Sequence, residues 1–74
     1  MTEKLLDARG LICPLPVLKA RKALLEMKTG EILRVTLTDK SAPKDFKLFC
    51  TETGHTLKSV QDKGESIDVT VVCR

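Results

Sequence analysis

Residues 31–38 carry the pattern that most restricts the fold of this chain. From residue 33 to residue 38, apolar and polar side chains alternate, as in a β-strand with one buried and one solvated face. The alternating residues are Leu33, Val35 and Leu37 on the apolar side and Arg34, Thr36 and Thr38 on the polar side. A sheet that contains such a strand can be covered by helices on one face only. The polar residues expected on its exposed face are Arg34, Thr36, Asp68 and Thr70.

Two other stretches have the periodicity of amphipathic helices. The first covers residues 14–28 and is stopped by Gly30, whereas the second begins near Ser41 and Pro43 and ends at Gly54. Each helix therefore has one apolar face to bury. The expected core positions are Val17, Ala20, Leu24 and Met27 of the first helix, with Leu18 and Leu25 beside them, and Phe46, Phe49, Cys50 and Thr53 of the second.

Three further strands are expected at residues 4–7, 55–61 and 65–73, and a turn at residues 62–64 joins the last two. The predicted order is β-α-β-α-β-β. Because each helix has one apolar face, both helices belong on the same side of one sheet. The sequence therefore predicts a single domain over residues 1–74. Its fold class is α/β (α+β), a two-layer sandwich of two helices on a four-stranded mixed sheet with a right-handed first β-α-β crossover.

The composition argues against nucleic-acid binding. A formal net charge of +3, from 13 basic and 10 acidic residues, is a mild excess for a nucleic-acid-binding domain. The chain has two Phe, no Tyr and no Trp, so it lacks the stacking platforms used to bind single strands. We therefore expect no stable nucleic-acid complex, and expect docking on acidic protein surfaces instead.

The cysteines and the apolar segments predict the compartment. The sequence has three cysteines, Cys13, Cys50 and Cys73. Because they are odd in number and far apart in the chain, they do not form the pattern of a disulfide framework. No apolar run approaches the roughly 20 residues of a membrane span, and residues 1–6 lack the apolar core of a signal peptide. These features predict a soluble cytoplasmic protein with reduced thiols and no membrane association.

The stretch Cys13-Pro14-Leu15-Pro16 is the most informative about function. Proline is favoured at the first helical position, so Pro14 is expected there and Cys13 is expected to be the N-cap. The positive end of the helix dipole favours a thiolate. Because Pro16 removes another N–H donor from this end, only a moderate lowering of the Cys13 pKa is expected. The basic residues that are near enough in sequence to add positive potential are Arg9, Lys19, Arg21 and Lys22.

An exposed thiol of this kind suits exchange of sulfur with the cysteine of another protein. The same motif also fits a helix start at which the cysteine has no chemical role. Cys50 and Cys73 are expected in the core, although Cys73 is a conceivable resolving thiol for Cys13 in a redox sensor. His55 is expected to be a surface or cap residue. No closely spaced Cys/His pairs are present, so neither a zinc site nor a bound cofactor is expected.

The chain resembles the TusA family of sulfur-carrier proteins, also described as SirA-like, over essentially all 74 residues. Cys13, Pro14 and Pro16 reproduce the Cys-Pro-x-Pro signature of that family after the first strand. The sequence departs from the family pattern at two places outside this signature, Lys40-Ser41 and Phe46. Further positions that follow the family pattern are Leu6-Asp7, Gly10-Leu11, Arg21-Lys22, Gly30-Glu31, Thr38-Asp39, Ala42, Asp45, Phe49-Cys50 and Gly54-His55.

The resemblance implies the same β-α-β-α-β-β sandwich and a sulfurtransferase that acts as a persulfide carrier. It implies that Cys13 bears the persulfide. The implied partners are a cysteine desulfurase or rhodanese-like sulfur donor and a downstream acceptor protein with a reactive cysteine. The implied pathways are tRNA thiolation, molybdenum-cofactor synthesis and sulfur oxidation. A monomer suits a carrier that presents one thiol to two partners in turn. The alternative is a small RNA- or protein-binding module with an incidental cysteine.

Overall fold

The computed structural model describes residues 3–74; residues 1 and 2 of the predicted 1–74 domain lie outside the described part. The order of elements is β-α-β-α-β-β, as the sequence predicts. The elements are β1 (Glu3–Ala8), α1 (Leu15–Leu25), β2 (Ile32–Leu37), α2 (Ala42–Thr53), β3 (Thr56–Asp62) and β4 (Ile67–Val72).

The four strands form one mixed sheet in the order β1-β2-β4-β3. Strands β1 and β2 are parallel, whereas β4 is antiparallel to both of its neighbours, β2 and β3. Helix α1 packs against β1 and β2, and α2 packs against β3 and against α1. The predicted two-layer sandwich is therefore confirmed.

The core lies between the helices and the inner strands. The alternation along β2 places Leu33, Val35 and Leu37 fully inside it. Phe46 of α2 is the largest fully buried side chain, and its burial contributes about 1.5–3 kcal/mol to stability. The other buried apolar residues of the sheet and helices are Ala8, Ala20, Ala23, Leu24, Ala42, Cys50, Ile67, Val69 and Val71.

The uncovered face of the sheet differs from the prediction at one position. Thr70, expected to be exposed, is only 7% accessible. It lies on the inner strand β4, where Arg34 and Ser59 of the two neighbouring strands stand opposite it. A polar residue in the middle of a sheet is shielded by the side chains on both sides, even on the solvent face.

Helix α1 is shorter than predicted, and its buried face is narrower. It ends at Leu25, and Leu25 and Leu18 are 78% and 51% accessible although both were expected beside the core. The buried residues of the helix are Pro16, Ala20, Ala23 and Leu24. Val17 and Met27, also expected in the core, are half-buried and pack against it. Leu25 is turned by about 100° from Leu24 on the helix, which places it in solvent.

Helix α2 ends where the sequence predicts. Gly54 adopts a left-handed conformation with φ of 87°, and its N–H donates to the carbonyl oxygen of Cys50 at 2.9 Å. Glycine is the residue that adopts this conformation without steric cost. Neither helix within residues 3–74 has the length and apolar character needed to cross a bilayer.

Candidate functional site

Cys13 is exposed in the connection between β1 and α1, one residue further from the helix than predicted. Pro14, not Cys13, is the N-cap, and Leu15 is the first helical residue. The reason lies in the backbone hydrogen bonds. The N–H of Leu15 closes a turn on the carbonyl of Ile12 at 2.9 Å, and the first helical acceptor is the Pro14 carbonyl, bonded by Leu18 at 3.2 Å. The Cys13–Pro14 peptide bond is cis.

The two prolines of the motif have different surroundings. Pro16 is buried among the core side chains, so it anchors the first turn of α1 in the protein. Pro14 is exposed and lies beside Cys13 at the surface.

Two carboxylates of the second β-α unit contact Cys13. The backbone N–H of Cys13 donates to Oδ2 of Asp39 at 2.9 Å, and its thiol donates to Oδ2 of Asp45 at 2.6 Å. Asp39 follows β2 and also accepts from the backbone N–H and hydroxyl of Ser41 at 2.9 and 2.8 Å. Asp45 lies in the first turn of α2. Contacts from the neighbouring β-α unit, in addition to those within its own unit, therefore fix the position of Cys13.

These contacts raise the pKa of Cys13, which contradicts the expected lowering. The main cause is the hydrogen bond to Asp45, which stabilises the protonated thiol; desolvation of the sulfur by its neighbours and the negative charges of Asp45 and Asp39 act in the same direction. The pKa of Asp39 is itself lowered, because the backbone N–H groups of Ser41 and Cys13 stabilise its carboxylate. These contacts thus favour the protonated form of the resting thiol.

The four basic residues proposed from the sequence are distributed over the surface. Arg9 forms an ion pair with Asp7 at 2.9 Å, and this hydrogen bond is the main reason that the pKa of Asp7 falls to about 2. Lys19 donates to the backbone carbonyl of Asp7 at 2.9 Å. Lys22 lies in the last turn of α1, away from the cysteine. Arg21 lines the same groove as Cys13.

That groove, of about 380 Å³, runs between α1 and α2 with Cys13 and Asp45 at the end where both helices begin. Parallel pairing of β1 and β2 places the starts of the two helices at the same edge of the sheet. The lining residues recur every three or four positions, so each helix contributes one face. They are Pro14, Val17 and Arg21 of the first helical segment and Asp45, Leu48, Phe49, Glu52 and Thr53 of α2.

Local sequence patterns do not point to a role for Asp39 or Asp45. They are 26 and 32 residues from Cys13 in the chain, and only the parallel pairing of β1 with β2 brings them to it. The signal that was available is topological. Residues that follow two adjacent parallel strands meet at one edge of the sheet, so polar side chains after β1 and after β2 are neighbours.

The other two cysteines belong to the core, as predicted. Cys50 and Cys73 are both buried, and burial raises the pKa of Cys50. The sulfur of Cys73 lies 3.8 Å from the carbonyl oxygens of Leu24 and Met27, at the C-terminal end of α1. Cys13 is at the opposite end of that helix, about 16 Å away along its axis. A disulfide requires Cα atoms within about 7 Å, so this structure does not support a Cys13–Cys73 redox pair.

His55 is half-buried and has a structural role. Its ring packs on Phe49 with centroids 5.7 Å apart, and its Nδ1 accepts the backbone N–H of Arg74 at 3.0 Å. Burial, reinforced by the charge of Arg74, lowers the pKa of His55. Among residues 3–74, no three His, Cys, Asp or Glu side chains are grouped to hold a metal ion.

Comparison with a solved structure places this architecture among the SirA-like proteins. The crystal structure of a SirA-like protein from Desulfitobacterium hafniense superposes with a TM-score of 0.80 at 28% sequence identity. The match covers 92% of this chain and 93% of that protein.

Comparison with known sequences defines the family. The profile described as "Sulfurtransferase TusA" matches residues 4–72. The sulfur carrier protein TusA of Allochromatium vinosum is 46% identical over 59 residues, which is 80% of this chain and 78% of that protein. A Neisseria meningitidis serogroup A protein, provisionally named a sulfur carrier protein, is 48% identical over 63 residues, 85% of each chain. The chain therefore belongs to the TusA family of sulfur carriers.

Proposed function

We propose that this protein is a sulfurtransferase that carries sulfane sulfur as a persulfide on Cys13 and relays it between partner proteins. The observation that carries the proposal is the exposure of Cys13. Of the three cysteines, all within the described residues, only this one is exposed, and it lies at the mouth of a groove that a partner can enter. Membership of the sulfur-carrier family supports the same assignment.

The loading step is an exchange at sulfur. The Cys13 thiolate attacks the outer sulfur of a donor persulfide, a new S–S bond forms on Cys13, and the S–S bond of the donor breaks. The donor cysteine leaves as a thiolate. Because the proton lost by the Cys13 thiol balances the one gained by the donor thiolate, the reaction consumes no oxidant, no reductant and no net proton.

The unloading step repeats the same chemistry in the opposite role. The thiolate of an acceptor protein attacks the outer sulfur of the Cys13 persulfide, and Cys13 leaves as a thiolate that regains its proton. Cys13 must reach two partners in turn, so its place on the surface at the start of α1 suits both halves of the cycle.

The partners proposed for these steps are a cysteine desulfurase or a rhodanese-like protein as donor and a cysteine-bearing sulfur carrier as acceptor. The sulfur would then reach tRNA thiolation, molybdenum-cofactor synthesis or sulfur oxidation. The proposed setting is the cytoplasm, because persulfide exchange between free cysteines requires thiols that are kept reduced. The proposed working form is a monomeric domain of residues 1–74, without a bound cofactor.

The test is the intact mass of the protein after incubation with a cysteine desulfurase, cysteine and pyridoxal phosphate, and separately with inorganic polysulfide. We expect a gain of one sulfur atom, about 32 Da, that a thiol reductant removes. Cys13→Ser is expected to gain nothing, whereas Cys50→Ala is the matched control that should still be loaded. No gain from either donor, in protein whose Cys13 reacts with iodoacetamide, would favour the binding-module alternative.

A further inference from the structure

The surroundings of Cys13 are unusual for a thiol that must act as a nucleophile. Reactive cysteines are normally activated by a neighbouring cation or a helix N-terminus, because the thiolate is the reactive form. Here the thiol donates to the Asp45 carboxylate at 2.6 Å, and its own backbone N–H is held by Asp39 at 2.9 Å. The groups in direct contact with Cys13 thus oppose the ionisation that sulfur exchange requires.

The charged groups that face Cys13 from each neighbouring element are mostly acidic. Asp39 lies in the β2–α2 connection, and Asp45 and Glu52 lie on the groove face of α2. On α1 the facing charge is Arg21, about 9 Å along the helix from Leu15, and Glu52 lies two turns beyond Asp45 on α2. Neither of these two charges contributes to the shift in the pKa of Cys13, whereas Asp45 and Asp39 both do. Nothing on these elements neutralises the Asp45 carboxylate at the thiol.

We propose, building on the carrier function above, that Asp45 keeps Cys13 protonated and unreactive in the free carrier until a partner docks. A lysine or arginine side chain of the partner would enter the groove between α1 and α2, pair with Asp45 and release the Cys13 thiolate. Asp45 is thus a group that restrains the nucleophile and also recognises the partner.

The groove fits a partner segment that combines apolar side chains with one cation. Its walls near Cys13 are apolar, formed by Val17 on one helix and Leu48 and Phe49 on the other. Asp45 is half-exposed and makes no ion pair with any lysine or arginine among residues 3–74. Its carboxylate is therefore available to an incoming cation, and an arginine could bind it through two hydrogen bonds.

The proton balance of the loading step is unchanged by this device. When the partner's cation pairs with Asp45, the carboxylate no longer stabilises the protonated thiol, and the Cys13 proton leaves to solvent. The thiolate attacks the outer sulfur of the donor persulfide, and the departing donor thiolate takes up a proton. The restraint by Asp45 makes Cys13 selective, because small electrophiles and oxidants encounter the less reactive thiol whenever no partner is docked.

The first test is the rate of iodoacetamide alkylation of Cys13 across pH in the isolated protein. The wild-type midpoint is expected above the ordinary thiol value of about 8.5. Asp45→Asn is expected to lower the midpoint and to react roughly tenfold faster near pH 7. Glu26→Gln, which removes the same charge at the far end of α1, should match the wild type. A wild-type midpoint below about 8.5, or slower alkylation of Asp45→Asn, would overturn the proposal.

The second test concerns the partner and compares sulfur loading from two donors. From inorganic polysulfide, Asp45→Asn is expected to load roughly tenfold faster than the wild type. From a cysteine desulfurase it should load no faster, because the docked donor already neutralises Asp45 in the wild type. Equal acceleration with both donors would show that no partner cation lifts the restraint. Failure of the wild type to load from either donor would instead refute the carrier function and leave the alkylation result standing.

Discussion

Cys13 is separated from the first residue of α1 by Pro14, and it touches two carboxylates of the next β-α unit. The field of the helix end, which favours a lowered pKa of Cys13, is equivalent to about half a charge. A full negative charge in contact with the sulfur outweighs that field, because the electrostatic energy falls with distance. The sign of the shift was therefore set by residues that local sequence does not reveal.

The ion pair between Asp7 and Arg9 predicts how the thermal stability of the protein depends on pH. Arg9 lowers the pKa of Asp7 to about 2 from a reference value of 3.8. A carboxyl with a depressed pKa in the folded state stabilises the protein above its unfolded pKa, and this contribution is lost as pH falls through the folded value. Wild type is therefore expected to have a higher Tm than Asp7→Asn at neutral pH.

The difference between the two proteins should close between about pH 4 and about pH 2, as Asp7 becomes protonated. Thermal unfolding followed by circular dichroism across this range measures it. Glu26→Gln is the matched control for loss of one negative charge. A Tm difference that stays constant down to about pH 2 would contradict the assigned pKa.

Helix α1 shows what periodicity can and cannot predict about one element. The apolar positions Ala20 and Leu24 were placed correctly, because they repeat every four residues along one face. Leu18 and Leu25, which the apolar pattern predicts beside that face, are exposed instead. Hydrophobicity alone does not fix the rotation of a helix about its axis, because small alanines occupy buried positions while two of the leucines are exposed.

Two adjacent leucines therefore test the rotation of α1. Leu24 is buried and Leu25 is exposed, although they are the same residue type on the same helix. Leu24→Ala is expected to lower the free energy of unfolding by about 2–5 kcal/mol, because it leaves a cavity in the core. Leu25→Ala should change it by no more than about 0.5 kcal/mol. Urea unfolding measures both, and equal losses in the two variants would mean that the helix is rotated differently.

For the molecule as a whole, the alternation of residues 33–38 predicts a sheet with one covered face, and the two-layer fold contains such a sheet. Local patterns also predicted the order of elements, the end of α2 at Gly54 and the burial of Cys50 and Cys73. Local patterns could not predict the contacts around the candidate site. They join residues 26 and 32 positions apart in the chain, and they depend on which strands pair in parallel.

The role of Cys13 as the sulfur-bearing residue is tested most directly by locating the transferred sulfur within the loaded wild-type protein. Trypsin places the three cysteines in separate peptides, residues 10–19 with Cys13, residues 48–58 with Cys50 and residues 64–74 with Cys73. The protein is loaded by a cysteine desulfurase and alkylated without reductant. Tandem mass spectrometry of these peptides then identifies the cysteine that carries the added sulfur. We expect one additional sulfur on the peptide of residues 10–19 and none on the other two. Additional sulfur on Cys50 or Cys73, with Cys13 unmodified, would contradict that role of Cys13.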